Sequence, residues 1–375
     1  VEPANGSFVM VCLGGFLAIL WCLLWLYRLL VSAANFWHRE HLGALNDSKD
    51  LPSISVLVPV RNEAQQLQDL LANLNHLGAP VCEVLLYDDA STDQTATVLA
   101  EVQASYPMLR FFRGGDLPLG WLGKNHACWQ LAQHAQGRWL LFVDADVRLE
   151  AHLPARALQH ALTKKLQVLS LFPQQNHGSW GEALWVPLMH QVLLSYLYLP
   201  WVERSSFTAV AAANGQFLLF ERDFYFQLGG HAAVASQLPE DVWLARKSKA
   251  AGGKVSVLLA DDGLQCSMYA HGWAAMRGLW RNVVPAIGKS VYLWVWLFWQ
   301  LVSLGALLFF APAWLLWGLL LPVLSRIFVL LAAEKKLGQQ WVLLLPQLLL
   351  WPVWWLAAAI AYQTKQIRWK DRPVH

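Results

Sequence analysis

The sequence predicts an α/β domain built on a mostly parallel sheet, with transmembrane helices at both ends. Three observations carry this expectation. Strand-like and helix-like patterns alternate through residues 51–285. Long uncharged stretches lie on both sides of that region. Several of the strand patterns run directly into acidic residues, which gives an otherwise apolar sheet a polar rim.

The uncharged stretches come first and last. Residues 8–27 carry no charge in 20 positions, and a helical span needs about 20 apolar residues. We expect a membrane anchor over 1–32. A signal peptide fits less well, because the segment lacks a basic n-region and a clear small-residue cleavage site, and Arg28 follows it. On the other side, residues 290–325 hold 36 uncharged positions and 337–364 hold 28, which gives a membrane region over 290–364 of two or three spans. As one helix the first run would be about 54 Å long against a hydrocarbon core of about 30 Å, so a hairpin turning near Pro312 fits better than one helix with an interfacial piece near Pro322. Nine of the 22 Trp lie between Trp294 and Trp355, as expected near headgroups. A basic tail follows at 365–375. Five scattered Cys without a CxxC spacing argue against a disulfide framework or a zinc site. A net charge of +3 without a basic run gives no nucleic-acid footprint.

Between the anchors, "SISVLVPV" (53–60) reads as a buried strand. "EAQQLQDLLANLNHL" (63–77) places Leu67, Leu70, Leu71, Leu74 and Leu77 at helical spacing. A second strand (82–91), a second helix (93–104), a third strand (109–114), a third helix (124–135) and a fourth strand (139–146) follow. Continuous apolar strands alternating with helices mean a parallel sheet covered on both faces. Ligands of such sheets bind at the carboxyl ends of the strands. Strand one ends in Pro59, Val60, Arg61, Asn62 and Glu63; strand two in Asp88 and Asp89; strand four in Asp144-Ala145-Asp146.

Each acidic group has a plain structural reading: Asp88 and Asp93 as helix caps, the D-x-D as a turn. Together, unpaired carboxylates on one rim would repel one another and raise their pKa values. A divalent cation relieves that repulsion, and hard oxygen ligands suit Mg²⁺ or Mn²⁺, which commonly take one or two carboxylates plus substrate phosphates. The segment 183–201 is nearly uncharged, but His190, Gln191 and two Pro make it a poor span. It reads either as buried core or as an interfacial helix.

These residues resemble the inverting family 2 glycosyltransferases of the GT-A fold over roughly 51–285, and the flanking anchors suit the family's membrane-bound branch. "VPVRNE" (58–63) is similar to the opening nucleotide-binding strand, "YDDASTD" (87–93) to the base- and ribose-binding turn, and "DAD" (144–146) to the metal motif. "LPEDVWLARKSKAAG" (238–252) resembles the helix that carries the catalytic base. "GWLGKNHACWQ" (120–130) resembles a segment of members that glycosylate lipids, carotenoids or hopanoid-type molecules, and "IRWKDRPV" resembles their short tail, with Asp371 where they have Gly. The Q-x-x-R-W of processive and ceramide-type relatives is replaced by "RGLWRN" (277–282).

The resemblance implies a nucleotide-diphosphate sugar donor, a UDP-sugar above all, and a Mg²⁺ or Mn²⁺ cofactor. It assigns the donor to Pro59, Arg61, Glu63, Asp88, Asp89, Lys124 and Asp144, and the metal to Asp146 and Asp144. Asp241 would be the base, with Glu240 as the competing assignment. Asn214, Gly215, Gln216, Arg277, Trp280 and Arg281 would line the acceptor side. Lys124 is also readable as a solvated helix lysine, and the Arg/Trp cluster as an interfacial one. The implied reaction moves a sugar to a hydroxyl or carboxyl of a lipid-type acceptor, by a multi-pass protein of the bacterial inner membrane with its catalytic domain in the cytosol. A processive polysaccharide synthase and a non-catalytic scaffold are the rival expectations.

Overall fold

The computed structural model describes residues 4–373, apart from 47–49, 103–104, 270, 288–289, 335–336, 364–367 and 370–371. In chain order the elements are α1 (Ala4–Trp37), β1 (Ile54–Val60), α2 (Leu67–Asn75), β2 (Val81–Asp88), α3 (Thr95–Val102), β3 (Leu109–Arg113), α4 (Gly123–His134), β4 (Trp139–Val143), β5 (Val147–Leu149), α5 (Leu153–Lys164), β6 (Val168–Phe172) and β7 (Gln174–Gln175). Then come α6 (Trp180–Trp185), α7 (Pro187–Tyr196), α8 (Pro200–Arg204), β8 (Phe217–Glu221), α9 (Arg222–Gln227), α10 (Glu240–Ala250), β9 (Val255–Leu259), β10 (Leu264–Cys266), α11 (Gly272–Ile287), α12 (Ser290–Phe310), α13 (Leu315–Ala333) and α14 (Leu337–Gln363). They fall into two compact units: Glu40–Asn176 with Leu199–Met268, and Val1–Arg39 with His177–Tyr198 and Tyr269–His375.

The first unit holds a seven-stranded sheet in the order β3-β2-β1-β4-β8-β6-β9. Every pairing is parallel except the two made by β8, which runs antiparallel to β4 and β6. The strands are apolar on both faces because helices cover both: Val56, Leu57 and Val58 of β1 are all fully buried. Helix α2 buries Leu67, Leu70, Leu71 and Leu74 along one face, the spacing read from the sequence. Each such leucine contributes about 1.5–3 kcal/mol when buried. Because β2, β1 and β4 are parallel neighbours, their carboxyl ends share one edge of the sheet. The reversal of β8 brings its beginning to the same edge, with Phe217 opposite Val143, so that Asn214, Gly215 and Gln216 arrive beside Asp144. A small sheet, β5-β10-β7, pairs Cys266 with Val147 directly after the D-x-D.

The second unit is a set of apolar helices. Among the described residues, three are long and apolar enough to cross a membrane: Phe8–Trp37, Pro312–Ala333 and Gly338–Ile360. The uncharged run 290–325 is broken at Pro312–Trp314, a short 3-10 turn between α12 and α13, and Trp294–Phe310 before it is apolar but shorter than these three. The segment 177–198 also belongs to this unit rather than to the sheet core. Polar bonds explain its place. Asn35 of α1 donates to the carbonyls of Leu194 (2.9 Å) and Leu197 (2.8 Å), Arg326 donates to Pro187 O (3.1 Å), and Gln347 donates to Ala183 O (2.9 Å). Buried among apolar side chains, such bonds are costly to leave unmade, so they fix where these helices sit.

Candidate active site

The sheet edge is shaped first by its turns. After β2 the chain reverses through Ala90 at φ 49°, and after β1 through Asn62 at φ 53°, left-handed positions that cost a non-glycine residue about 1–2 kcal/mol. The surrounding bonds hold them there. Asp88 Oδ1 accepts from Ser91 N (3.0 Å) and from the Ser91 hydroxyl, Asn62 Oδ1 accepts from Thr92 N (2.8 Å), and Arg61 donates to the carbonyls of Asp89 and Ala90. Arg61, which is buried, therefore staples the turn. Asp88 keeps its second carboxylate oxygen buried and without a partner among the described residues. Gly114 closes the turn from below: it donates to Asp88 O (2.8 Å), and a methyl group on it would come within 2.7 Å of that oxygen. Pro59 sits on β1 beside the first turn, and Glu63 N donates to Thr95 Oγ1 (2.9 Å).

Lys124 joins two of these groups. Its ammonium lies 2.7 Å from Asp144 Oδ1 and 2.9 Å from Glu240 Oε1. Burial opposes that charge, but the two carboxylates outweigh it and hold the lysine well above its usual pKa. This is not a solvated helix lysine, since its side chain is only 23% exposed. The neighbouring residues of the "GWLGKN" segment fasten the loop that delivers α10: Asn125 Nδ2 donates to Val234 O (2.8 Å), Ala235 O (3.1 Å) and Gln237 O (3.2 Å), and Leu122 N donates to Ala235 O (2.9 Å). The segment thus ties the D-x-D strand to the Glu240-Asp241 pair.

Asp241 begins α10 and accepts from Gly215 N (2.6 Å) and Val242 N (2.7 Å). Burial and the adjacent Glu240 charge push its carboxyl up to about 7, although Lys124 and both amides work the other way. In Glu240 burial also raises the pKa, but the Lys124 ion pair wins and the result lies below the ordinary value. Two adjacent carboxylates thus have environments that push them apart, the pattern of a group set aside for proton transfer beside one kept charged.

Asp146 carries the strongest sign of a missing ligand. Its Oδ1 is buried with no hydrogen-bond partner among the described residues, and burial together with the Asp144 charge raises its carboxyl to about 7. No group of three His, Cys, Asp or Glu side chains close enough to cage a metal exists among the described residues. A cation here would take Asp146 and Asp144 from the protein and the rest of its shell from substrate phosphates and water, which suits Mg²⁺ or Mn²⁺ rather than a metal held entirely by protein.

Asn214 and Gln216 brace the site more than they line it. Both are buried; Asn214 N bonds Ser170 Oγ (2.7 Å), and Gln216 Nε2 donates to Cys266 Sγ (2.9 Å). Gly215 faces the carboxylates, since a methyl group there would meet Lys124 Nζ at 3.0 Å and Glu240 Oε1 at 3.3 Å. Arg277 lies on α11 in the helical unit, exposed, and the side chains of Trp280 and Arg281 lie outside the described residues. Sequence reasoning missed Cys266, which the small sheet brings beside the D-x-D, and Gly114. Asn125 stood inside a quoted motif and was legible there; Cys266 had no local signal, because only the sheet pairing brings it close.

The fold and this edge of carboxylates are of the GT-A type. Residues 55–220 match the family described as Glycosyl transferase family 2, which marks that stretch as a glycosyltransferase domain. It is 27% identical over 274 residues to a 4,4'-diaponeurosporenoate glycosyltransferase of Staphylococcus haemolyticus, covering 70% of this chain and 69% of that protein. It is 25% identical to the protein of the same name from Staphylococcus aureus, covering 72% and 76%. Among solved structures, a mannosyltransferase from Pyrobaculum calidifontis in complex with GDP-Man and Mn²⁺ shares the fold, with a TM-score of 0.53, 19% identity and coverage of 92% of this chain and 98% of that one.

Proposed function

We propose that the protein transfers a sugar from a nucleoside diphosphate sugar, a UDP-sugar first among them, to a lipid-type acceptor at a membrane, with inversion at the anomeric carbon. The observation that carries this reading is the linked set Asp144–Lys124–Glu240 with Asp241 alongside, which joins a donor-side carboxylate to a carboxylate suited to proton transfer. The donor's base and ribose would lie against Asp88 and Asp89, with Pro59 and Glu63 nearby and Arg61 fixing the turn. Asp146 and Asp144 would hold Mg²⁺ or Mn²⁺, which when bound neutralises charge developing on the diphosphate leaving group. Lys124 keeps Asp144 and Glu240 in register. With a hydroxyl acceptor, Asp241 takes its proton as the oxygen bonds to the anomeric carbon and the bond to the diphosphate breaks. One displacement inverts the centre and needs one base.

The lipid-type acceptor is supported by the relatives' names and by three helices suited to crossing a membrane. It fits a multi-pass protein of a bacterial inner membrane, its catalytic unit facing the cytosol where nucleotide sugars are made. A second reading of the acceptor group follows from those names, since 4,4'-diaponeurosporenoate is by name a carboxylate. A carboxylate nucleophile needs no base, and a neutral Asp241 would then hydrogen-bond to it. The two readings differ in sign: the rate rises with pH through about 7 for a hydroxyl and falls for a carboxylate. The donor side is tested by calorimetric binding of UDP and GDP sugars with Mn²⁺ and with a chelator. Binding that ignores the chelator would remove the metal from this reading, and no binding of any nucleotide sugar would remove the reading itself.

A further inference from the structure

The only charged residue between Ala4 and Trp37 is Arg28, and it is fully buried in the helical unit. Its Nε donates to Ser195 Oγ (3.1 Å). Its guanidinium carbon lies 3.8 Å from the centre of the Trp25 ring, 4.6 Å from Tyr196 and 5.8 Å from Trp351. Both terminal nitrogens, with four N–H groups between them, have no hydrogen-bond acceptor among the described residues. Each surrounding ring also carries a buried donor without an acceptor: Trp25 Nε1, Tyr196 Oη and Trp351 Nε1. The helices that supply these groups, α1, α7 and α14, contain no Asp or Glu. A buried cation ringed by spare donors, with no ion pair among the described residues, is incomplete. Ring faces offset part of the desolvation, but they accept none of the in-plane N–H bonds.

Depth narrows the ligand. Exposed apolar side chains run along α1 from Phe8 to Leu30. Arg28 lies 20 residues beyond Phe8, about 30 Å along the helix, which matches the thickness of a hydrocarbon core. That level is where lipid headgroups begin, and charged residues within spans that face a helix bundle commonly mark a ligand path.

We infer that Arg28, walled by Trp25, Tyr196 and Trp351, is a binding site for the oxyanion headgroup of an amphiphile, a phosphate or carboxylate carried on an apolar tail. The planar guanidinium offers such a group two parallel N–H bonds, and the rings offer apolar walls and further donors. The residues of this site all belong to the helical unit, and it needs no nucleotide sugar.

The test is native mass spectrometry of the purified full chain in non-ionic detergent, titrated with dioleoyl phosphatidylglycerol, oleate or dioleoyl phosphatidylcholine. One molecule of phosphatidylglycerol or oleate should be retained at least tenfold more tightly than phosphatidylcholine, and the stronger of the two assigns the headgroup. Arg28→Gln should remove that preference. Arg28→Lys, which keeps the charge and loses the fork, should weaken it about threefold or more, and it is the variant read if Arg28→Gln does not fold. Asp146→Asn should bind the lipid as the parent does, so lipid binding and glycosyl transfer fail independently. Equal retention of the anions by the parent and the Arg28 variants, or no preference for an anion over phosphatidylcholine, would overturn the inference.

Discussion

Replacing Lys124 with Met removes the cation that spans Asp144 and Glu240 while keeping most of the side chain's length. The consequence can be worked from the geometry. A methyl group on Gly215 would lie 3.0 Å from Lys124 Nζ and 3.5 Å from Asp241 Oδ2, so the two charges are no more than about 6.5 Å apart. At an effective dielectric of about 20, their attraction is at least about 2.5 kcal/mol, close to two pH units. Lys124 lowers the Asp241 pKa from above, so its loss raises it. Glu240, which loses its ion pair in the same step, takes up protons more readily and repels Asp241 less, which brings the expected shift to about one to two units. The midpoint of the pH–rate profile should therefore move from about 7 to about 8–9. With a hydroxyl acceptor the rate at pH 7 falls about tenfold and recovers at pH 9. The assay is release of the nucleoside diphosphate across pH 5.5–9.5 at saturating Mn²⁺. Saturating cation matters because Asp146 also titrates near 7 when no cation holds it ionised. A lower rate with an unmoved midpoint would refute the coupling of Lys124 to Asp241.

Asp241→Asn should cost about 10²–10⁴ in rate with a hydroxyl acceptor and leave donor affinity by calorimetry little changed, whereas Glu240→Gln should be milder in rate; the reverse order would make Glu240 the base. Gly114→Ala forces a methyl group against Asp88 O at 2.7 Å and Tyr87 at 2.8 Å, so it should lower the unfolding free energy by about 1–3 kcal/mol and raise the donor KM more than it lowers kcat. A KM equal to the parent's would separate Gly114 from the donor turn. Glu334, just beyond the α13 span, accepts from His190 (3.0 Å) and lies 3.3 Å from His177; burial alone would raise its pKa, but these two bonds hold it well below the carboxylate range. Glu334→Gln should destabilise the protein by about 2–4 kcal/mol, read as a lower Tm, and an unchanged Tm would show that the bonds contribute nothing net.

The sheet was legible because its strands are unbroken apolar runs and its helices keep a clear period; β1, β2 and β4 sit where "SISVLVPV", "CEVLLYDD" and "WLLFVDAD" place them. The carboxylates at the strand tips were legible for the same reason. What the sequence could not supply is what depends on distant pairing. The antiparallel entry of β8 brings Gly215 to Asp241, and the small sheet brings Cys266 to Asp146. The segment 177–198 carries no periodicity that separates a buried core helix from a helix of the apolar unit; its membership is decided by bonds from Asn35, Arg326 and Gln347, between 139 and 164 residues away in sequence. Lys124 read equally well as a solvated lysine, because its partners lie 20 and 116 residues further along the chain.

The most direct test is transfer itself. The purified full chain is reconstituted in vesicles with a bacterial total lipid extract, given labelled UDP and GDP sugars with Mn²⁺, and the label is counted in the organic and aqueous phases. If Asp146 holds the cation and the acceptor is lipid-type, the label enters the organic phase with the parent chain, and with Asp146→Asn it does not. Label that stays in the aqueous phase as free sugar or polymer, or that reaches the organic phase equally well with Asp146→Asn, would contradict that assignment.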